Sequence, residues 1–437
     1  MDKDRFTQYR TTIEKLDPIR VNGRVTQVVG LLIEANGPQV PVGDVCNVVT
    51  NQGAIPCEVV GFRRSHILLM PLVNTQGIKQ GSEVIPRGFP LTVPAGDGIL
   101  GRILDGLGNP IDEKGPLPEN LHQVPIHRDP PNPFSRQRIH APLETGVRVF
   151  DSLLTMGAGQ RIGIFSGSGV GKSTLLGMIA RSSKADVNVI GLVGERGREV
   201  REFIEKSLEL EGLRRSVVVV ATSDKPALVR VKAAFSATAI AEFFRDQGKA
   251  VMLMMDSVTR FGLAQREIGL AVGEPPATRG YTPSVFALLP KLLERAGTAR
   301  HGSITGIYSV LVEGGDMDEP IADSVRGILD GHVVLSREMA HQNIYPAVDI
   351  QSSISRLMPD VVDKHHMDLA NRIRDLYATY QKSADLISIG AYKTGTDKKI
   401  DEAIKKLPKI QELIKQEINQ KIPFEQSVQV MEAIVSQ

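Results

Sequence analysis

The chain lacks almost everything that would tie it to an oxidising compartment, a membrane or a nucleic acid. Among 437 residues there are two cysteines, Cys46 and Cys57, and no tryptophan. Two cysteines without metal-ligand spacing exclude a disulfide scaffold and a zinc cluster, and read as free thiols of a reducing cytoplasm. Basic residues number 52 and acidic ones 50, a net charge of +2, so bulk electrostatics gives no case for binding nucleic acid or membrane. No apolar run approaches spanning length; the strongest, Val251 to Met255, is closed by Asp256. The start, Met1-Asp2-Lys3-Asp4-Arg5-Phe6, is charged and has no apolar core of a secretory signal. His365 and His366 are adjacent, and neighbouring side chains on a helix point apart, so they read as a surface pair rather than metal ligands.

What is present is a phosphate-binding loop. Ser166-Gly167-Ser168-Gly169-Val170-Gly171-Lys172-Ser173-Thr174 sits between a strand-like run, Gln160 to Phe165, and the start of a helix, Thr174 to Ala180. Glycines let backbone N–H groups converge on an anion, and the helix N-terminus adds its dipole. Lys172 would bridge the terminal phosphates and the Ser173 hydroxyl would hold Mg²⁺. One residue departs from the usual pattern: Ser166 stands where the loop ordinarily begins with glycine.

The texture of the chain changes three times. Phe6, Tyr9, Ile13 and Leu16 recur at helical spacing until Pro18 stops them, giving an amphipathic segment over 1–18. Short runs rich in Val, Gly and Pro predict a small β-barrel or sandwich over 19–94. Seven prolines (Pro116, Pro118, Pro125, Pro130, Pro131, Pro133 and Pro142) make 115–142 an extended connection, since proline suits neither a helix interior nor a central strand. From Gly146 strand-like runs (161–165, 187–193, 217–221, 251–255 and 304–312) alternate with helical ones such as 198–210 and 229–247, which predicts βαβ units and a mostly parallel sheet. This α/β domain is expected to span 95–360. A helical domain should follow over 361–437, with one helix marked by Leu369, Ile373, Leu376 and Tyr380. Ile400, Ile404 and Leu407 begin a second, and Ile410, Leu413, Ile414 and Ile418 mark a third.

Ligands of open parallel sheets sit at the carboxyl ends of strands, and two further polar groups fall there. Asp256 closes the apolar run 251–255, where a carboxylate downstream of a phosphate loop would hold the Mg²⁺ shell. Glu195, after 187–193, is placed to orient and polarise an attacking water; the plainer alternative pairs it with a nearby arginine.

Three stretches then resemble the rotary-type ATPase superfamily of F-type and V-type catalytic subunits: Gly194 to Val200, Asp256 to Arg260, and Pro275 to Phe286. Pro346 to Arg356 is similar to that superfamily's segment before its arginine finger. Glu313 to His332 resembles the ATPases of type III protein export, the flagellar branch more closely than the virulence-secretion branch. The resemblance implies a RecA-like core after an N-terminal β-barrel. It places the phosphate loop on Ser166 to Thr174, catalytic roles on Lys172, Glu195, Arg196 and Arg356, and the metal on Ser173 and Asp256. Arg356 would act in trans, on the neighbouring subunit's site. The adenine-stacking aromatic falls on Tyr345; the second aromatic of F-type enzymes has no counterpart, Ile418 lying near its place. The acidic lever of F-type β subunits is replaced by Lys398-Lys399-Ile400-Asp401-Glu402.

By the same resemblance the chain would hydrolyse Mg-ATP in a ring of six copies at the cytoplasmic face of a membrane-bound export apparatus. Its partners would be a stator-like regulator at the N-terminal segment, a central stalk-like protein, the membrane proteins of the export gate, and export chaperones with their substrates. A virulence-type secretion ATPase and an ion-pumping rotary subunit are the alternatives. An RNA translocase would need an aromatic, basic face on the N-terminal domain, and 19–94 holds only Phe62 and Phe89 as aromatics. No nucleic-acid partner is therefore expected.

Overall fold

The computed structural model describes residues 21–73 and 76–436; the amphipathic segment at 1–18 lies outside the described residues. Six strands build the first unit: β1 (Gly23–Val29), β2 (Leu32–Asn36), β3 (Asp44–Thr50), β4 (Gly53–Arg63), β5 (His66–Pro71) and β6 (Glu83–Pro90). They close into a barrel of order β1-β2-β5-β4-β3-β6, with Gly23 and Arg24 opposite Val84 and Glu83 completing the ring. Closure removes the unpaired edges that an open sheet would expose. Residues alternate in and out, so Val25, Ile33, Val48, Val59 and Leu69 fill the interior. Cys46 and Cys57 are opposite one another across β3 and β4, free as the spacing suggests, and both are buried. Burial pushes their thiols up to about 11 and about 12, which keeps both protonated.

The chain divides into compact units between Leu91 and Thr92. In the second, β7 (Thr92–Ala95) pairs with β9 (His122–Pro125), and β8 (Ile103–Asp105) joins the main sheet. Two short strands, β10 (Pro142–Leu143) and β11 (Met156–Gly157), pair with each other. The main sheet then gathers β12 (Arg161–Ser166), β13 (Val187–Val193), β14 (Ser216–Ala221), β15 (Ala250–Asp256), β16 (Gly297–Thr298), β17 (Ser303–Leu311), β18 (Gly331–Leu335) and β19 (Val348–Ser355). Its order is β19-β18-β12-β17-β15-β13-β14-β8, with β16 added on β17. Every pair on that path is parallel except β18 with β19. Central strands are buried on both faces and read as unbroken apolar runs rather than alternating ones. Parallel neighbours need crossovers, which the helices Lys172–Ser182, Gly197–Glu202, Ala227–Asp246 and Pro320–Ile328 help to supply.

The proline-rich stretch runs mostly over the surface, with Ile126 buried, and its regular structure is β9, a 3-10 turn at Pro133–Ser135 and the first residue of β10. It is fastened by Arg295, a fully buried residue that forks onto Glu242 at 2.9 and 2.6 Å and donates to the Ile126 carbonyl at 2.6 Å.

Two expectations need correction. The helical region has three helices, Lys364–Ser388, Lys398–Ile414 and Phe424–Ser436, but the second and third apolar sets lie on one of them. The period from Ile400 to Ile414 runs unbroken through Pro408, and Ile418 falls in the loop beyond; the third helix is a segment the sequence reading passed over. Nor are the two histidines a surface pair. His365 is exposed beside Glu432, whereas His366 is buried with its ring 2.7 Å from the Ser152 carbonyl. They do point apart, and the inward one packs against Phe424.

The helix Gly197–Glu202 runs into a π-helical turn, Phe203–Leu208, before Glu209–Arg214. Arg181 donates to the Ser207 carbonyl in that turn. Gly177 makes room for the approach, since a Cβ there would overlap the Ser207 carbonyl. Gly177→Ala should therefore destabilise the second unit by about 1–3 kcal/mol; an unchanged chemical-denaturation midpoint would show that the helices can part at no cost.

Candidate active site

The phosphate loop leaves the carboxyl end of β12, and its glycines serve different needs. Gly169 and Gly171 have φ of +79° and +89°, conformations that L side chains rarely adopt. Gly167 needs space instead: a Cβ there would lie 2.7 Å from the Arg337 guanidinium. Ser166 is the last residue of β12 and has no positive φ, so its departure from the usual glycine carries no backbone strain. Gly171 precedes the helix Lys172–Ser182 directly, which sets Lys172 and Ser173 at a helix N-terminus.

β15 lies two strands from β12 and ends in Asp256, while β13 beside it leads into Glu195. The sheet thereby brings the sequence-predicted groups together. Lys172 Nζ is ion-paired with Asp256 Oδ1, and Ser309 Oγ donates to the same oxygen at 2.6 Å. Ser173, Glu195, Glu199 and Asp256 line one small cavity, closed on its apolar side by Leu192, Val200 and Phe203. Its volume, about 20 Å³, is room for a single water. Burial first, and then the Asp256 charge, push the Glu195 carboxyl up to about 7; Lys172 and Arg260 act against them. Arg260 Nε donates to Glu195 Oε1 at 3.2 Å, so the plainer pairing of Glu195 with an arginine holds in the structure as well.

Among the described residues no cluster of three or more His, Cys, Asp or Glu forms a protein-only metal site. Ser173 and Asp256 nonetheless fit Mg²⁺, which favours oxygen donors and commonly takes one carboxylate, substrate phosphates and water.

A larger cavity of about 630 Å³, within the range of small-molecule sites, opens beside the loop. Tyr345 stands on one wall, its ring 3.4 Å from where a Gly171 Cβ would lie. Ile418 lines the same cavity, so an aliphatic side chain occupies the region where the resemblance led to an aromatic. The loop carrying it is pinned: Gln416 N donates to the Tyr345 carbonyl at 2.9 Å, and Arg181 donates to the Ile418 carbonyl at 2.8 Å.

Two expected residues stand apart. Arg196 is largely exposed, 3.8 Å from Glu199, and does not line the carboxylate cavity. Arg356 follows β19, its N–H donating to the Asp330 carbonyl at 3.0 Å, next to the start of β18. Asp330 also accepts from Arg161 N at the start of β12. Arg356 therefore lies at the amino-end edge of the parallel strands. The phosphate loop lies at the other edge, roughly 17 Å away along β12 at about 3.3 Å per residue. Sequence reasoning gave no role to Ser309, Glu199, Arg260 or Arg337. Arg260 and Glu199 lay within the quoted motifs, but nothing in the sequence paired them with Glu195.

Lys172→Ala should abolish turnover and weaken ATP binding, because the loop loses its cation. Glu195→Gln should keep ATP bound and lower hydrolysis by a factor of about 10² or more; near-parental hydrolysis by Glu195→Gln would remove Glu195 from the base position.

Comparison with known proteins places most of the chain in a family. The profile of the nucleotide-binding domain of the ATP synthase alpha/beta family matches residues 146–355, and that family's beta-barrel domain matches 25–88. The C-terminal domain of the type III secretion ATPase EscN matches 362–433. The flagellum-specific ATP synthase of Bacillus subtilis is 55% identical over 425 residues, 97% of each chain. The type 3 secretion system ATPase of Xanthomonas euvesicatoria is 50% identical, covering 94% of this chain and 93% of its own. The solved structure of assembled EscN from enteropathogenic E. coli superposes with a TM-score of 0.89 at 45% identity, over 94% of this chain and all of that one. The chain belongs to the ATP synthase alpha/beta family, among its flagellum-specific and type III secretion ATPases.

Proposed function

We propose that this ATPase works as a homohexameric ring that energises export of flagellar proteins through a type III apparatus. Its ring reading is carried by one observation: Tyr345 and Arg356 flank the same strand, so the arginine sits at the opposite sheet edge from its own phosphate loop. A guanidinium so placed serves an active site only on a neighbouring copy. The solved EscN structures are of an assembled protein, one in complex with its central stalk EscO, which supports self-assembly and a stalk partner here.

Within one site the groups would act as follows. Lys172 exchanges Asp256 for the β- and γ-phosphates, and the loop amides take the remaining phosphate oxygens. Mg²⁺, held by Ser173 and Asp256, would neutralise developing phosphate charge. Glu195 faces the one-water cavity, orients the nucleophile and draws its proton, with Arg260 fixing the carboxylate. Arg356 of the next copy stabilises charge on the transferring phosphoryl group, an effect on the order of 10³–10⁵ in rate. Tyr345 stacks on the base, with Ile418 across the cavity.

No described helix is long and apolar enough to cross a membrane, which suits a peripheral role at the cytoplasmic face of the export apparatus. The segment 1–18 is assigned to a stator-like regulator, and the gate proteins, chaperones and export substrates are further partners of this reading. The nearer identity to a flagellum-specific relative than to a secretion-system one favours the flagellar system.

Specific activity should rise steeply with protein concentration, because each site needs two copies, and Arg356→Ala should retain ATP binding while losing turnover. Activity per chain that is flat from dilute monomer to assembled ring would count against the ring. Deletion of the gene should abolish motility, filament assembly and export of flagellar proteins; a motile, fully flagellated deletant would refute the export assignment and leave the ATPase intact.

A further inference from the structure

The face that carries Arg356 holds a second feature that the chemistry leaves unused. In the proline-rich stretch Phe134 is completely exposed, 101% of its reference surface. A lone apolar residue at the surface is ordinary, but this one is held out on a braced turn. Asn132 Oδ1 accepts from Phe134 N at 2.9 Å, and Ser135 Oγ donates to the Asn132 carbonyl at 2.7 Å. Pro133 fixes the first position of the turn. Just beyond, Arg136 donates to the Ala296 and Glu294 carbonyls at 2.9 and 2.5 Å. Gln137 is tied in both directions: its Nε2 donates to Arg300 O at 3.0 Å and its carbonyl accepts from Thr298 Oγ1 at 2.6 Å. The backbone is locked to the second unit while the ring touches solvent.

The turn also has a definite neighbourhood. Pro133 and Arg136 line a surface cavity of about 690 Å³ together with Asp330, Leu357 and Asp360. Asp330 accepts the Arg356 N–H and Leu357 follows Arg356 in the chain. Pro133, which precedes Phe134, and Leu357, which follows Arg356, thus line one cavity, and this places the two residues on neighbouring parts of one face.

We infer that Phe134 is an anchor for a second copy of this chain, seated on the face of the neighbour that carries the phosphate loop. This rests on the trans-acting reading of Arg356: if that side chain reaches the neighbour's site, the surface continuous with it is apposed to the neighbour too. An aromatic presented on a backbone that is already ordered costs less entropy on docking than one on a free loop, and aromatics are favoured as interface anchors. Around the cavity the carboxylates of Glu294, Asp330 and Asp360 are matched by Arg136, Arg138 and Arg161, with Arg161 paired to Glu294 and Asp330, so there is no excess of positive charge to favour an anionic lipid surface. Mixed charges of this kind suit a protein rim.

The test uses the full chain and its Phe134→Asp, Phe134→Ser and Phe134→Leu variants, assembled on a non-hydrolysable ATP analogue and weighed by mass photometry. Binding of a fluorescent nucleotide to the dilute chain serves as the fold control. Phe134→Asp and Phe134→Ser should bind nucleotide as the parent does, yet need at least about tenfold more protein to assemble; Phe134→Leu should stay close to the parent. Assembly of Phe134→Asp at the parental concentration would overturn the inference while leaving the ring intact. A parent that never assembles would bring down the ring reading itself. Loss of binding to phosphatidylglycerol vesicles in Phe134→Asp with assembly unaltered would assign the residue to a lipid surface, and would overturn the inference as well.

Discussion

Strand direction governs this active site more than any single contact. Seven strands of the main sheet path run parallel, and their carboxyl ends collect the phosphate loop, Glu195 and Asp256 on one edge. β19 alone on that path runs the other way, paired antiparallel with β18. A strand so oriented starts at the nucleotide edge and finishes at the opposite one, so Tyr345 before it and Arg356 after it are separated by its full length. Side-chain rotation cannot close a gap of roughly 17 Å, because an extended arginine reaches less than half of that. Under the proposed role of Arg356, this topology leaves the isolated chain short of one catalytic cation and offers that cation to another molecule.

The charges gathered at the nucleotide edge are compensated within the chain. Lys172 is held by Asp256, which also accepts from Ser309, and Glu195 is held by Arg260. An unpaired buried charge costs several kcal/mol, so a fold that collects these groups has to pair them. In the proposed mechanism nucleotide binding would exchange partners instead of burying fresh charge: Lys172 would leave Asp256 for phosphate, and Asp256 would be freed for a divalent cation. Glu195 titrates high because its surroundings are apolar on one side and acidic on the other, the condition for a carboxylate that accepts a proton near neutral pH.

Much of this could be read before any coordinate was known, and for physical reasons. The central strands are buried on both faces and so stand out as apolar runs, and the phosphate loop needs small residues in a fixed order between a strand and a helix. Strand ends were equally readable, which is why Glu195 and Asp256 fell into place. What escaped was whatever depends on partners distant in sequence. Ser309 meets Asp256 only because β17 and β15 are neighbours. Arg337 reaches Gly167 only because β18 lies beside β12. His366 turned out buried because the helix that carries it lies over Ser152, which no local pattern announces. The apolar sets on either side of Pro408 belong to one helix, because a continuous apolar face packs on the core despite the proline.

The separation of Arg356 from its own site is tested most directly by ATP hydrolysis in rings mixed from Glu195→Gln and Arg356→Ala chains. Each variant alone should be inactive. In mixed rings an Arg356→Ala chain supplies Glu195, its Glu195→Gln neighbour supplies Arg356, and hydrolysis should reappear above the sum of the two variants. Parental hydrolysis by rings of Arg356→Ala alone would contradict it, and would return Arg356 to a structural residue beside Asp330.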